Sequence, residues 1–195
     1  MPSREEAWKL LTSWVQSENL RRHCLAVEAC MRAYAKEFFQ DPDKWGVTGL
    51  VHDFDYERYP SKEDHPFRGV QVLEELGWPA EIREAILGHA DYSGVPRVSL
   101  LAKALYAVDE LSGFITACAL VRPDRSLDGL EVASVKKKLK DKAFAKGVSR
   151  EDIYKGAQEL GVDLDAHIRF CIEAMKPIQE QLGLGRGHDA VEAAH

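Results

Sequence analysis

His23, the adjacent pair His52-Asp53, His65, His89 and Asp109 occur in that order along the chain. Imidazole nitrogens and carboxylate oxygens are the ligand set for Zn, Mn, Fe, Co and Ni. A single histidine among apolar residues has an ordinary reading as a hydrogen-bonded core residue. Asp109 resists that reading. It lies between Ala107-Val108 and Leu111, where an ionised carboxylate is costly unless it is paired or bound to metal. The adjacency of His52 and Asp53 is also informative. Neighbours on a helix point about 100° apart, so these two converge only near a helix end or across two adjacent cations.

The elements that must position these groups read as helical. Ser3-x-x-Glu6 is a capping box ahead of Trp8, Leu11 and Val15. A second helix is predicted over 19–39, with Leu20, Cys24, Val27, Met31 and Tyr34 on one stripe. Pro42 stops it and a third follows over 43–51. The stretch 56–61 is a loop. Asp64 is expected to cap a fourth helix with Pro66 in its first turn, ending at Gly77. Pro79 opens a fifth through Leu87, and 93–96 is a turn. The most apolar segment, 99–121, is predicted to be the buried centre, and it carries Asp109. Helices over 130–144, 150–160 and 163–182 follow, then a frayed tail over 183–195. No period-2 alternation and no Asn-Gly or Asp-Gly hairpin signal occurs between apolar runs. The fold class is therefore all-α.

The chain has 195 residues, which suits one domain, placed at 1–182 with a motif core at about 19–121. Lys+Arg number 26 and Asp+Glu 32, a net charge of −6 that argues against a nucleic-acid polymer as partner. The run Lys136-Lys137-Lys138, with Lys140 and Lys142, reads as a solvated helix face. Cys24, Cys30, Cys118 and Cys171 show no paired spacing and read as reduced core residues of a cytoplasmic protein. The N-terminus shows no secretory pattern, and 99–121 is interrupted by Lys103, Asp109 and Glu110, so no membrane span is expected. His167, four residues after Asp163, is expected to make a surface pair of structural value only.

In order and context, the His/Asp series resembles the HD superfamily of metal-dependent phosphohydrolases, and specifically its His-rich subgroup. The resemblance is carried by Asn19-Leu20-x-x-His23, Gly49-Leu50-Val51-His52-Asp53, Asp64-His65-Pro66-x-x-Gly69, Ile86-x-x-His89 and Val108-Asp109-Glu110-Leu111-Ser112. It departs after the His-Asp pair. Phe54-Asp55-Tyr56-Glu57 stands where many relatives have Ile-Gly or a glycine and then lysine, and His89 is followed by Ala90-Asp91 rather than a second histidine.

The resemblance implies an HD-like helical bundle with additional C-terminal helices. It implies one metal on His23, His52, Asp53 and Asp109. His65 and His89 would then hold a second metal, with Asp53 as the bridge, or bind a substrate phosphate. The cofactor is one or two divalent ions among Mn, Fe, Co, Ni and Zn. Water activated by such ions attacks phosphorus without a protein nucleophile, in keeping with the lack of a GxSxG element. Asp53 and Asp55 are the catalytic candidates, Asp55 as acid/base or water-orienting group. Lys62, Arg68 and Arg97, with Lys103, are candidate phosphate contacts. Tyr56 and Tyr59 are candidates to stack on a base or gate the pocket, and Asp91 to orient His89 or cap a turn. The expected substrate is a small phosphorylated molecule, with nucleotides in that class. The competing readings are an HD-fold di-iron oxygenase and a non-catalytic nucleotide-sensing module with a structural metal. The oligomeric state is left open.

Overall fold

The structure, a computed structural model, describes residues 1–185. Ser3 opens the first helix as its spacing predicts: its hydroxyl accepts from the Glu6 N–H, and α1 runs Arg4–Trp14. Ser17 caps α2 (Glu18–Glu37) in the same way. Asp41 accepts from the N–H groups of Asp43 and Lys44 and starts α3 (Pro42–Val51), with Pro42 in the first turn. Next come α4 (Phe67–Glu75) and α5 (Ala80–Gly88). Ser99 caps α6 (Leu100–Leu120). Ser149 and Asp163 cap α8 (Arg150–Leu160) and α9 (Leu164–Met175), which follow α7 (Val132–Leu139). The described residues contain no strand, so the all-α expectation holds.

Four boundaries differ from the sequence reading, each for a local reason. Asp64 does not cap α4. Its carboxylate accepts from Ser61 and Arg68 instead, and the helix starts after a cis His65–Pro66 bond with no side-chain cap. The predicted helix over 130–144 stops at Leu139. The Arg150 guanidinium collects the carbonyls of Leu139, Asp141, Phe144, Ala145 and Val148, so this segment wraps a cation rather than bonding along a helix axis. The last helix ends at Met175 because Pro177 lacks an N–H, and Lys176–Ile178 forms a 3₁₀ turn. The expected tail begins too early. Leu184 is buried, and the Gly185 N–H donates to the Arg125 carbonyl at 2.7 Å. The remainder of that tail lies outside the described residues.

The centre is α6, largely apolar and mostly buried, with Lys103, Asp109 and Glu110 as its charged exceptions. It packs against α2, α5, α8 and α9. The α8 contact is backbone-close: a Cβ on Gly156 would lie 2.7 Å from the Ala107 Cα. All four cysteines are buried and free. No helix among the described residues is long and apolar enough to cross a membrane.

His167 is not the surface residue its neighbours suggested. It is fully buried, with Nδ1 2.5 Å from the Tyr34 hydroxyl and Nε2 2.9 Å from the Ala107 carbonyl, so it ties α9 to both α2 and α6. Burial pushes its pKa below 6.5. A folded state that excludes this proton loses stability as pH falls through the unfolded value. We expect chemical denaturation to show a loss of up to about 1.4 kcal/mol per pH unit below that point from this residue. The stability gap between wild type and His167→Gln should therefore narrow from pH 7 to pH 5. A constant gap would remove His167 from the acid response.

Candidate metal centre

His23 projects from α2, Asp109 from α6, and His52 and His89 occupy the positions where α3 and α5 end. A helix C-terminus leaves carbonyls without intrahelical partners, and both histidines use one. His52 Nδ1 lies 2.7 Å from the Gly49 carbonyl and His89 Nδ1 2.5 Å from that of Ile86. A carbonyl only accepts, so each Nδ1 carries the proton and each Nε2 presents a lone pair. Helix termination, rather than helix interior, thus solves the problem posed by adjacent His52 and Asp53.

Those Nε2 atoms face carboxylate oxygens. On one side, His23 and His52 Nε2 lie 2.9 and 3.1 Å from Asp109 Oδ1, and 3.6 and 3.2 Å from Asp53 Oδ2. On the other, His65 and His89 Nε2 lie 3.3 and 3.2 Å from Asp53 Oδ1. Ligand atoms of His23, His52, Asp53 and Asp109 all fall within 4.8 Å of one another, and so do those of Asp53, His65 and His89. The two oxygens of Asp53 address one group each.

Lone pairs facing carboxylates repel unless something positive lies between them. With protons in that role, Asp53 and Asp109 raise His52 well above its usual range against the effect of burial. His65 rises to about 9, again against burial, through Asp53 and Asp55. Burial alone would lift Asp53 and Asp109, but the imidazoles hold both well below the carboxylate range. A divalent cation meets the same demand with the histidines neutral. Ligands about 2.1 Å from a cation are separated by about 3.0–3.4 Å, and the nitrogen–oxygen spacings here are close to that. The donor set fits first-row divalent ions.

Asp55 differs from its expected role. It is buried, and its oxygens are both engaged, Oδ1 at 2.6 Å from His65 Nδ1 and Oδ2 accepting from the Gly69 N–H at 2.8 Å. A Cβ at Gly69 would lie 2.9 Å from that carboxyl carbon. Asp55 therefore orients His65 and keeps its Nε2 toward Asp53. It does not reach the cavity as an acid or base.

The cationic candidates are mostly committed elsewhere. Arg97 donates to Glu159, Asp91 and the Gly88 carbonyl and stacks 3.6 Å over Tyr106, with only 7% of its side chain exposed. It cannot serve a phosphate. Arg68 pairs with Asp64 and lies over Tyr59, and neither it nor Lys103 lines the site. Lys62 sits 5.6 Å over the Tyr92 ring and likewise does not line the site. Asp91 does not touch His89, whose Nδ1 is taken by backbone; it bonds Arg97 and Lys155. Tyr59 packs on Trp14, whereas Tyr56 meets the His65 ring edge-on at 5.1 Å. Lys136 pairs with Asp165 at 2.9 Å.

Tyr56, Tyr92, Glu110 and Asp152 join the His/Asp cluster in lining a cavity of about 510 Å³. The sequence reading assigned no role to the last three. Tyr92 donates to the His65 carbonyl at 2.5 Å. Glu110 accepts from the Ser149 N–H at 3.2 Å, and burial, then Asp109, push its carboxyl up to about 7. Its signal was present: a second acid beside Asp109 in an otherwise apolar helix. Asp152 reaches the site only through the packing of α8 on α6, which no local pattern announces.

Residues 20–113 match the family model described as HD domain. No curated protein and no solved structure matches the chain.

Two outcomes follow. A cation must displace protons from the Nε2 atoms of His52 and His65, both raised above the ordinary imidazole range, so its affinity should rise with pH through neutrality. The slope should approach tenfold per pH unit for each proton released. Calorimetric titration with Zn or Mn in buffers of different ionisation enthalpy reads both quantities, and a pH-independent affinity would contradict the site. Asp55→Asn turns an amide N–H₂ toward either Gly69 N–H or His65 Nδ1–H, so one donor meets another. It should weaken binding of one cation about 10–100-fold while sparing the other.

Proposed function

Residues 20–113 being an HD domain, of the superfamily of metal-dependent phosphohydrolases, we propose that the protein hydrolyses a small phosphoester at the Asp53 centre. The observation that carries this reading is the division of Asp53, one oxygen toward His23, His52 and Asp109, the other toward His65 and His89. That is the arrangement of a carboxylate shared between two cations. His23, His52, Asp53 and Asp109 would hold one ion, and Asp53, His65 and His89 a second. Such ions supply an acidified water and neutralise charge on phosphoryl oxygens.

The chain's own residues do the rest. Backbone carbonyls at Gly49 and Ile86 lock the rings of His52 and His89, and Asp55 locks His65. The groups are thereby arranged before substrate arrives, which avoids a reorganisation cost at the chemical step. Tyr56 and Tyr92, each about half exposed at the cavity, offer flat faces to a planar ring. This supports a nucleotide as the substrate. Residues 1–182 are read as one HD-type helical domain, and the buried, unpaired cysteines support a cytoplasmic setting.

The test is turnover of phosphomonoesters, phosphodiesters and nucleotides with added Mn, Co, Ni, Fe or Zn. Hydrolysis should depend on metal and fall by at least about 10³ in His52→Ala/Asp53→Ala. Retention of activity in that variant would overturn the reading. The six-ligand arrangement equally suits a di-iron oxygenase. Iron as the purified metal, with O₂ consumed on a polyol or phosphonate and no phosphate released, would establish that alternative. Tight nucleotide binding without turnover would point to a sensing module.

A further inference from the structure

Helix α8 lies outside residues 20–113, the segment that matches the family, yet one of its residues lines the cavity of the metal centre. That residue is Asp152. Ser149-x-x-Asp152 has the pattern of a capping box, in which the acid at the third helical position turns back to the N–H of the capping residue. Half of the box is formed: the Asp152 N–H donates to the Ser149 hydroxyl at 3.1 Å. The other half is not. The Ser149 N–H donates to Glu110 of α6 at 3.2 Å, so the Asp152 carboxylate is released from its usual local partner.

The carboxylate is aimed instead. The Tyr106 hydroxyl donates to Asp152 Oδ1 at 2.8 Å. Tyr106 is itself fixed, almost fully buried, with the Arg97 guanidinium 3.6 Å from its ring centroid. Asp152 Oδ2 has no hydrogen-bond or ion-pair partner among the described residues. Arg97 and Lys155 pair with Asp91, and Arg97 also with Glu159, rather than with Asp152. Among the described residues no Lys or Arg lines the cavity. Positive charge is therefore available to a substrate only at the His/Asp cluster. Away from it, an unpartnered carboxylate oxygen repels a second anion and accepts from an N–H or O–H.

We propose that Asp152 determines specificity in this cavity: its Oδ2 accepts from an ammonium or hydroxyl group that the substrate carries at the end away from its single phosphoryl group. Substrates with a second anionic group are disfavoured. Within the nucleotide class this selects monophosphates, with a sugar hydroxyl toward Asp152. The position of the phosphoryl group rests on the phosphohydrolase reading; the preference for a donor rests on the wall that α8 builds.

Four phosphonates of matched length test the preference by binding, because their phosphorus–carbon bond resists hydrolysis. They are 3-aminopropylphosphonate, 3-hydroxypropylphosphonate, n-butylphosphonate and 3-phosphonopropionate, each titrated calorimetrically into Mn-loaded full-length protein. The amino or the hydroxy probe should bind wild type about tenfold more tightly than butylphosphonate, and phosphonopropionate no more tightly than butylphosphonate. The tighter of the two donor probes names the group that Asp152 takes. In Asp152→Asn the ratio of the butylphosphonate Kd to that of this donor probe should fall about tenfold. Tyr106→Phe keeps the carboxylate but frees it to turn, and should lower the ratio by a smaller factor. A merely structural role for Asp152 would weaken all four probes together and leave the ratio alone. Equal binding of the four, tightest binding of phosphonopropionate, no binding of either donor probe, or a ratio that survives Asp152→Asn overturns the proposal. The matching esters, 2-aminoethyl, 2-hydroxyethyl and propyl phosphate, add a kinetic arm. Turnover of all three with equal kcat/KM refutes the donor preference and leaves the hydrolase standing. Asp152-dependent binding of a donor phosphonate without turnover of any ester does the reverse.

Discussion

Asp53 cannot sit where it does without positive charge on both sides of it. It is enclosed by four imidazoles and faces a second carboxylate, and burial makes an uncompensated charge there prohibitive. Everything around the centre answers that demand. Two helices stop so that their last carbonyls hold imidazole Nδ1 atoms. A buried aspartate does the same for a third ring. The central helix delivers the second carboxylate from an otherwise apolar surface. Protons can satisfy the charge balance, but only by converting ligands to imidazolium. A divalent cation satisfies it with the rings neutral and their lone pairs used. The site can thus exchange protons against cations, and its donor set fits a divalent ion.

The ligands were legible before the fold because their chemistry and their order along the chain are both unusual. A carboxylate inside an apolar helix, and a His-Asp pair that no helix interior could use, are conflicts that only a shared charge resolves. The helices were legible mainly from apolar periodicity, and α1 also from its Ser3 cap; the caps Ser17, Asp41, Ser99, Ser149 and Asp163 emerge from the structure. What stayed hidden were partnerships across sequence distance. Arg97 looked like a phosphate contact because its type suits one, yet Glu159, 62 residues away, claims its fork. Asp55 looked like an acid near the site, but the direction of a side chain leaving a turn is set by what packs behind it, here Gly69. His167 looked exposed beside two aspartates and is buried, because helix faces are assigned by neighbours that the local pattern does not name.

The corrections share a direction. Charged groups that were assigned to ligands turned out to hold the protein together, and residues with no assigned role, among them Tyr92, Glu110 and Asp152, turned out to face the cavity. Arg150 is the plainest case. The helix pattern ran on to residue 144, but one guanidinium satisfies five carbonyls at once and redirects the chain. The cavity around the His/Asp cluster is flanked by the rings of Tyr56 and Tyr92.

The contact of Gly156 with Ala107 bears on how this protein can be taken apart. Helix against helix at backbone distance leaves no side-chain layer in which a gap could open. The family match ends at residue 113, inside α6, and two positions from Asp109 that helix is pressed on α8. The border of the recognisable motif is therefore not a seam. A fragment trimmed to that border would lay bare the flank of the very helix that carries a ligand, and the C-terminal helices act as the anvil on which the centre keeps its shape.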